Sequence, residues 1–127
     1  MNIHKSAEDY LERILILQKE GNIVKSIDIA HSMNYSKPSI SRAMKNLREN
    51  GYIEINSSGA IILTDKGLAI AEKMYERHTL LATYFISLGV SQKTAFIDAC
   101  KLEHDMSDET FNALKKHAQN NIQQNKK

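Results

Sequence analysis

Apolar positions recur with a helical period over most of the chain and with a strand period in one place only. Leu11, Ile14, Leu15 and Ile16 give a buried side to a first helix, with Ser6 as its N-cap and Gly21 as its end. Asp9 and Glu12 lie three apart at the edge of that side. Ile27, Ile29, Ala30 and Met33 predict a second helix over 26–33, capped by Ser26 and closed by Asn34, a residue that tolerates the left-handed conformation of a tight turn. A third helix opens at Ser36, with Lys37 and Pro38 in the first turn, where proline costs least. Ile40, Ala43, Met44 and Leu47 face inward there, which leaves Ser39, Ser41, Arg42, Lys45 and Arg48 facing out until Asn50-Gly51 closes the helix. The period then changes to two. Tyr52-Ile53-Glu54-Ile55-Asn56 and Ala60-Ile61-Ile62-Leu63 flank Ser57-Ser58-Gly59, which reads as a hairpin. Thr64 and Asp65 open a long helix striped by Leu68, Ala71, Met74 or Tyr75, His78, Leu81 and Phe85, and Gly89 follows it. Ser91 caps the next helix, which carries Phe96, Ile97, Cys100, Leu102, Glu103 and His104. Ser107-Asp108-Glu109 opens a last helix with Phe111 and Leu114 inward, and the Asn/Gln/Lys-rich stretch from Gln119 to Lys127 has no apolar period and is expected to fray.

Helix, helix, tight turn, helix, hairpin is the order of a winged helix-turn-helix. The expected architecture is therefore mainly α. A winged helix-turn-helix with a two-stranded wing occupies residues 1–63, a helical domain 64–120, and a polar tail 121–127.

Composition narrows the class. With 127 residues, 42% of them apolar, the chain can bury a core and is not expected to be disordered. A single cysteine forms no internal disulfide, no run reaches the ~18 apolar residues of a membrane span, and Met1-Asn2-Ile3-His4-Lys5-Ser6 lacks the apolar core of a signal peptide. A cytoplasmic protein without a membrane partner is the expectation, and a reducing compartment keeps Cys100 available as a thiolate.

Net charge is only +2, from 17 Lys and Arg against 15 Asp and Glu, so its distribution matters more than its size. Between Asn34 and Gly51 the basic residues are Lys37, Arg42, Lys45 and Arg48, with Glu49 the only acid. A helix fits the major groove, its outward residues reach base edges, and basic residues hold phosphates. Ser36, Lys37, Pro38, Ser39, Ser41, Arg42 and Lys45 are the expected contacts to double-stranded DNA, and Ser57 and Ser58 at the hairpin tip would lie along the adjacent backbone. The competing reading is a solvated basic face, or a winged helix that binds protein.

Cys100, Glu103 and His104 fall at i, i+3 and i+4, on one surface of a helix turn, and each can bind a divalent transition metal. Taken singly, the candidates are weak. A lone cysteine on an apolar face is usually packing. His78 in an apolar stripe is more often a hydrogen-bonded core histidine, and Asp9 and Glu12 suit any helix N-terminus. The conjunction is stronger, because placing acids and a histidine along core faces of three helices is costly unless a cation neutralises them. Such a cation would tie the first helix to the two helices beyond the hairpin. Carboxylates suit Mn²⁺ and Fe²⁺, whereas imidazole and thiolate tilt the set toward Fe²⁺, Co²⁺ or Zn²⁺.

The run Ser6-Ala7-Glu8-Asp9-Tyr10-Leu11-Glu12 resembles the first helix of the diphtheria-toxin-repressor and manganese-transport-regulator family. So do Asp28-Ile29-Ala30, Leu63-Thr64-Asp65-Lys66-Gly67, Arg77-His78, Cys100-Lys101-Leu102-Glu103-His104 and Met106-Ser107-Asp108-Glu109. The resemblance covers nearly the whole chain. It implies a metal-activated, homodimeric repressor with an N-terminal winged helix and a helical dimerisation domain, ending at Lys127 like the short members without an SH3-like domain. By position, Asp9, Glu12, His78, Glu103 and His104 match ligands of the manganese branch. Cys100 stands where that branch has glutamate and matches the cysteine of the iron branch. The iron branch in turn has methionine at the position of Asp9 and no carboxylate at that of Glu12, and its further Glu and His ligands correspond to Ala82 and Phe96 here. The implied site is a hybrid, with Mn²⁺ or Fe²⁺ as cofactor, Co²⁺ or Zn²⁺ as substitutes in vitro, and one or two ions per subunit.

The expected function is repression of metal-uptake genes through a palindromic operator. The alternative is a winged-helix regulator that answers to a small organic ligand or acts without metal. No Gly-rich phosphate loop, Ser-His-Asp set or polar constellation beyond the ligands points to an enzyme or a small-molecule substrate.

Overall fold

The computed structural model describes residues 5–125, with side chains as far as Ala118. Met1 to His4, Lys126 and Lys127 lie outside the described residues, and with them part of the N-terminal and tail readings. The elements run α1 (Lys5–Lys19), α2 (Ser26–Met33), α3 (Lys37–Glu49), β1 (Ile53–Ile55), β2 (Ile61–Leu63), α4 (Asp65–Ser87), α5 (Gln92–Leu102) and α6 (Asp108–Asn125). The chain is mainly α with one two-stranded antiparallel hairpin, the order of a winged helix-turn-helix followed by helices. It forms two compact units, the first ending at Lys73 and the second beginning at Met74.

In the first unit, α2 and α3 pack closely, α3 meets β1, and α1 meets α2 and β2. Leu11 and Ile14 of α1, Ile29 of α2, Ile40 and Met44 of α3 and Ile53 of β1 are buried. Asn34 closes α2 at φ 58°, as a tight turn requires. Ser36 caps α3 by accepting from the Ser39 N–H at 3.3 Å, with Pro38 in the first turn. The hairpin pairs Ile53 with Leu63 and Ile55 with Ile61. Its tip is held by Asn56 Oδ1, which accepts from Ser58 N at 3.0 Å and from Ala60 N at 2.9 Å. The N–H of Ile61 donates to the Val24 carbonyl at 2.7 Å, so the segment before α2 braces β2.

Four local expectations change. α1 already includes Lys5, so Ser6 sits inside the first turn and does not cap it. α2 has Lys25 at its cap position, whose N–H donates to Asp28 Oδ2 at 2.8 Å; Ser26 is the first helical residue and does not cap the helix. Ile27, one of the apolar positions that predict this helix, is 37% exposed. α6 continues to Asn125, through the stretch expected to fray.

α4 begins where the helical domain was expected to begin, and its first turn packs on the α3–β1 loop. Thr64 Oγ1 donates to the Gly51 carbonyl at 2.7 Å and accepts from Gly67 N at 3.2 Å. In the second unit Met74, Leu81, Ala95, Ala99 and Phe111 are buried, and three charged or titratable residues, Arg77, His78 and Glu103, are buried with them.

Candidate metal centre and DNA-reading face

His78 lies in the second unit on the buried face of α4, between Met74 and Leu81. α5 starts at the Ser91 cap, whose oxygen accepts from Thr94 N at 3.3 Å, and brings Cys100 round beside His78. The helix ends at Leu102, sooner than a Cys100–His104 helix turn requires. Glu103 keeps helical dihedrals (φ −61°, ψ −28°) and donates its N–H to the Ala99 carbonyl at 3.1 Å, so the i, i+3 relation to Cys100 survives. His104 belongs to the turn beyond it, where Asp105 N bonds to the Leu102 carbonyl at 3.2 Å and the chain swings toward the Ser107 cap of α6.

These elements converge on one small volume. His78 Nδ1 lies 3.5 Å from Cys100 Sγ and 3.2 Å from Glu103 Oε2. The other oxygen of Glu103, Oε1, lies 3.2 Å from His104 Nε2. Glu103 is only 1% exposed. His78 Nε2 is buried without a hydrogen-bond partner among the described residues. Phe96 packs edge-on against the His78 ring at a centroid distance of 4.3 Å.

The donor set fits a divalent cation. One atom each from His78, Cys100 and Glu103 lie within 4.8 Å of one another. Donors around a tetrahedral ion with bonds of ~2.0–2.3 Å stand ~3.3–3.8 Å apart, close to the His78 separations. Without a cation, the pocket holds its charge another way. Hydrogen bonding to Cys100, then to Glu103, raises the His78 pKa from 6.5 to about 10, against the opposing effect of burial. Asp9 and Glu12 lie in the first unit one turn apart on α1, half-buried and buried respectively.

On the first unit, Ser36, Lys37, Pro38, Ser41, Arg42 and Lys45 are exposed and Ser39 is half-buried, so α3 presents its N-terminal half and basic face to solvent. Ser57 and Ser58 are exposed at the hairpin tip. Side-chain pattern alone does not single out Arg77 as part of this site. It is buried beside His78, and its partners include main-chain carbonyls, which leave no signature in a sequence.

Residues 2–61 match the DNA-binding N-terminal domain of the iron-dependent repressors, and residues 64–123 match their metal-binding and dimerisation domain. The chain belongs to the iron-dependent repressor family. Members of this family are transcriptional regulators and not enzymes. An uncharacterized HTH-type transcriptional regulator of Methanocaldococcus jannaschii is 37% identical over 113 residues, 87% of this chain and 90% of that protein. The transcriptional regulator MntR of Escherichia coli O6:H1 is 32% identical over 108 residues, 85% of this chain and 70% of its own. A solved manganese-dependent transcriptional repressor in complex with manganese superposes with a TM-score of 0.80 at 30% identity, over 88% of this chain and 52% of that one. The manganese regulator SloR superposes with a TM-score of 0.77 at 28% identity, over 92% and 54%. The chain thus spans about half the length of these two solved regulators. Among the described residues of this family member, no helix is long and apolar enough to cross a membrane.

Proposed function

We infer that this protein is a metal-activated transcriptional repressor. It binds a palindromic operator as a homodimer in the cytoplasm and controls genes for manganese or iron uptake. The convergence of His78, Cys100 and Glu103 carries this reading, in a chain whose other unit exposes a basic recognition helix. His78, Cys100, Glu103 and His104 supply imidazole, thiolate and carboxylate donors. Asp9 and Glu12 are assigned to the ligand set from their position in α1 and the resemblance to the manganese branch. A bound divalent cation supplies the positive charge that neutralises the buried carboxylate. Mn²⁺ and Fe²⁺ are the ions best matched to carboxylate-rich sites, and Cys100 tilts the set toward Fe²⁺. Ser36, Lys37, Pro38, Ser39, Ser41, Arg42 and Lys45 read and hold the duplex, and Ser57 and Ser58 flank it. The manganese-dependence named for the solved repressor supports the reading.

The test selects duplexes from a random-sequence pool with metal-loaded protein. It then measures their affinity by fluorescence anisotropy with Mn²⁺, with anaerobic Fe²⁺ and with chelator. Tighter binding with at least one metal is expected. Equal affinity with metal and with chelator overturns the reading.

A further inference from the structure

Glu103 and His104 sit beyond the last residue of α5, in the short connection to α6. Side chains on a connection hold their positions less well than side chains on a helix, and a metal site needs its donors fixed closely. A single residue of α4 meets this connection at several points. Arg77, one position before His78, is 3% exposed. Its Nη1 donates to the Glu103 carbonyl at 3.0 Å and to the Met106 carbonyl at 2.5 Å, and its Nη2 donates to Asp108 Oδ1 at 2.6 Å. The guanidinium carbon lies 5.1 Å from the centroid of the Phe111 ring on α6.

The placement follows helix electrostatics. The Glu103 carbonyl is among the last unsatisfied carbonyls at the C-terminus of α5, where a cation is favoured. Asp108 opens α6, where an anion is favoured. Arg77 joins the two ends. Stability alone gives a poor account of this arrangement. A buried guanidinium is costly, its carboxylate partner Asp108 is 69% exposed, and its Nε lacks a hydrogen-bond partner among the described residues. An apolar side chain of similar volume would fill the same space without that cost.

We propose that Arg77 is a positioning residue for the metal centre. Its forked guanidinium fixes the 103–106 connection, so that Glu103 meets His78 and Cys100 with its donor atom already in place and His104 stays on the other Glu103 oxygen. This rests on the metal-binding reading above. One turn of α4 then has two jobs: His78 enters the site directly, and Arg77 holds the segment that supplies two more donors. Lysine cannot replace it fully, because a single ammonium does not span two carbonyls and a carboxylate in one plane.

The test uses Co²⁺ as the probe, with the full chain, in wild type and in Arg77→Gln, Arg77→Lys and Asp108→Asn. Wild-type protein should bind Co²⁺ and show a thiolate-to-metal charge-transfer band that is lost in Cys100→Ser. Absence of Co²⁺ binding by wild type sinks the metal-binding reading, and Arg77's role with it; wild-type binding that the variants leave unchanged sinks Arg77's role alone. Arg77→Gln should weaken Co²⁺ binding by roughly 10–100-fold, the usual effect of losing a group that orients a ligand, and should alter the ligand-field bands. Arg77→Lys should recover part of both. Asp108→Asn keeps the two carbonyl contacts and should lose only a few-fold, by about a third of the Arg77→Gln effect on a logarithmic scale. If Arg77→Gln does not fold, Asp108→Asn and Arg77→Lys decide. Wild-type affinity and spectrum in the folded variants overturn the proposal. So does an affinity loss that tracks lost thermal stability while the Co²⁺ spectrum stays unchanged.

Discussion

In the proposed site, His78 is the residue at which protons and metal would compete most directly. In the metal-free protein, contacts with Cys100 and then Glu103 raise its pKa to about 10, so the ring is imidazolium at neutral pH. The contribution to stability has a fixed sign. A pKa raised above the ordinary 6.5 stabilises the metal-free fold fully below 6.5, and the effect is lost as pH climbs through about 10. A metal ligand must be neutral imidazole, so binding has to expel that proton. Calorimetric titrations with Mn²⁺ near neutral pH, in buffers of different ionisation enthalpy, should show proton release that falls by about one per ion in His78→Gln. Equal release in wild type and His78→Gln would show that the ring enters the site already neutral. The cluster of side chains around this residue is largely legible in the sequence. Cys100 and Glu103 stand out by their i, i+3 spacing, and His78 stands out as the polar member of an apolar stripe. The path of the chain after Leu102 is not legible, because nothing in the residues 100–104 marks the turn in which Asp105 N bonds to the Leu102 carbonyl and His104 leaves the helix.

At the scale of elements, α4 meets the loop before the hairpin at Gly67. A Cβ built there would lie 2.0 Å from the Tyr52 carbonyl oxygen and 2.9 Å from its carbon, both main-chain atoms. Helix propensity alone says that Gly67→Ala should stabilise by about 1 kcal/mol. The steric conflict is with backbone that is itself pinned, since the Tyr52 carbonyl accepts from Thr64 N at 3.1 Å. Sterics should therefore win. Gly67→Ala should destabilise the protein by about 3 kcal/mol, at the upper end of overpacking costs, as measured by urea denaturation. A neutral or stabilising result would mean that α4 is free to back away from the loop. The elements themselves follow from their apolar periods, and the hairpin and the αL turn at Asn34 follow from residue chemistry. Close approaches such as Gly67 on Tyr52 do not, because a glycine in a helix looks like a weak point until its neighbour is known. The cap of α2 is missed for a similar reason. Ser26 is the better cap by type, but Asp28 reaches back to Lys25 and moves the start of the helix.

At the scale of the whole molecule, metal can raise DNA affinity in two ways that predict different salt behaviour. One is charge. The chain carries a net +2, and each bound divalent ion makes it more positive, which favours any duplex. The other is a shift toward a DNA-competent state, to the extent that metal prefers that state. A pure charge effect is screened, so the ratio of metal-loaded to metal-free affinity would fall toward one as salt rises. A shift in state keeps that ratio while both affinities drop together. The second outcome is expected here, because the proton expelled from His78 offsets part of the ion's charge and leaves the duplex a smaller change to respond to. Reciprocity adds a stricter condition: if Mn²⁺ tightens DNA binding by some factor, the selected duplex must tighten Mn²⁺ binding by the same factor. Both sides can be measured, by anisotropy for DNA and by competition with a metal-chelating dye for Mn²⁺, at about 50 and 200 mM salt. Matching factors that hold across both salts support a coupled switch. A factor that collapses at the higher salt would assign activation to charge alone.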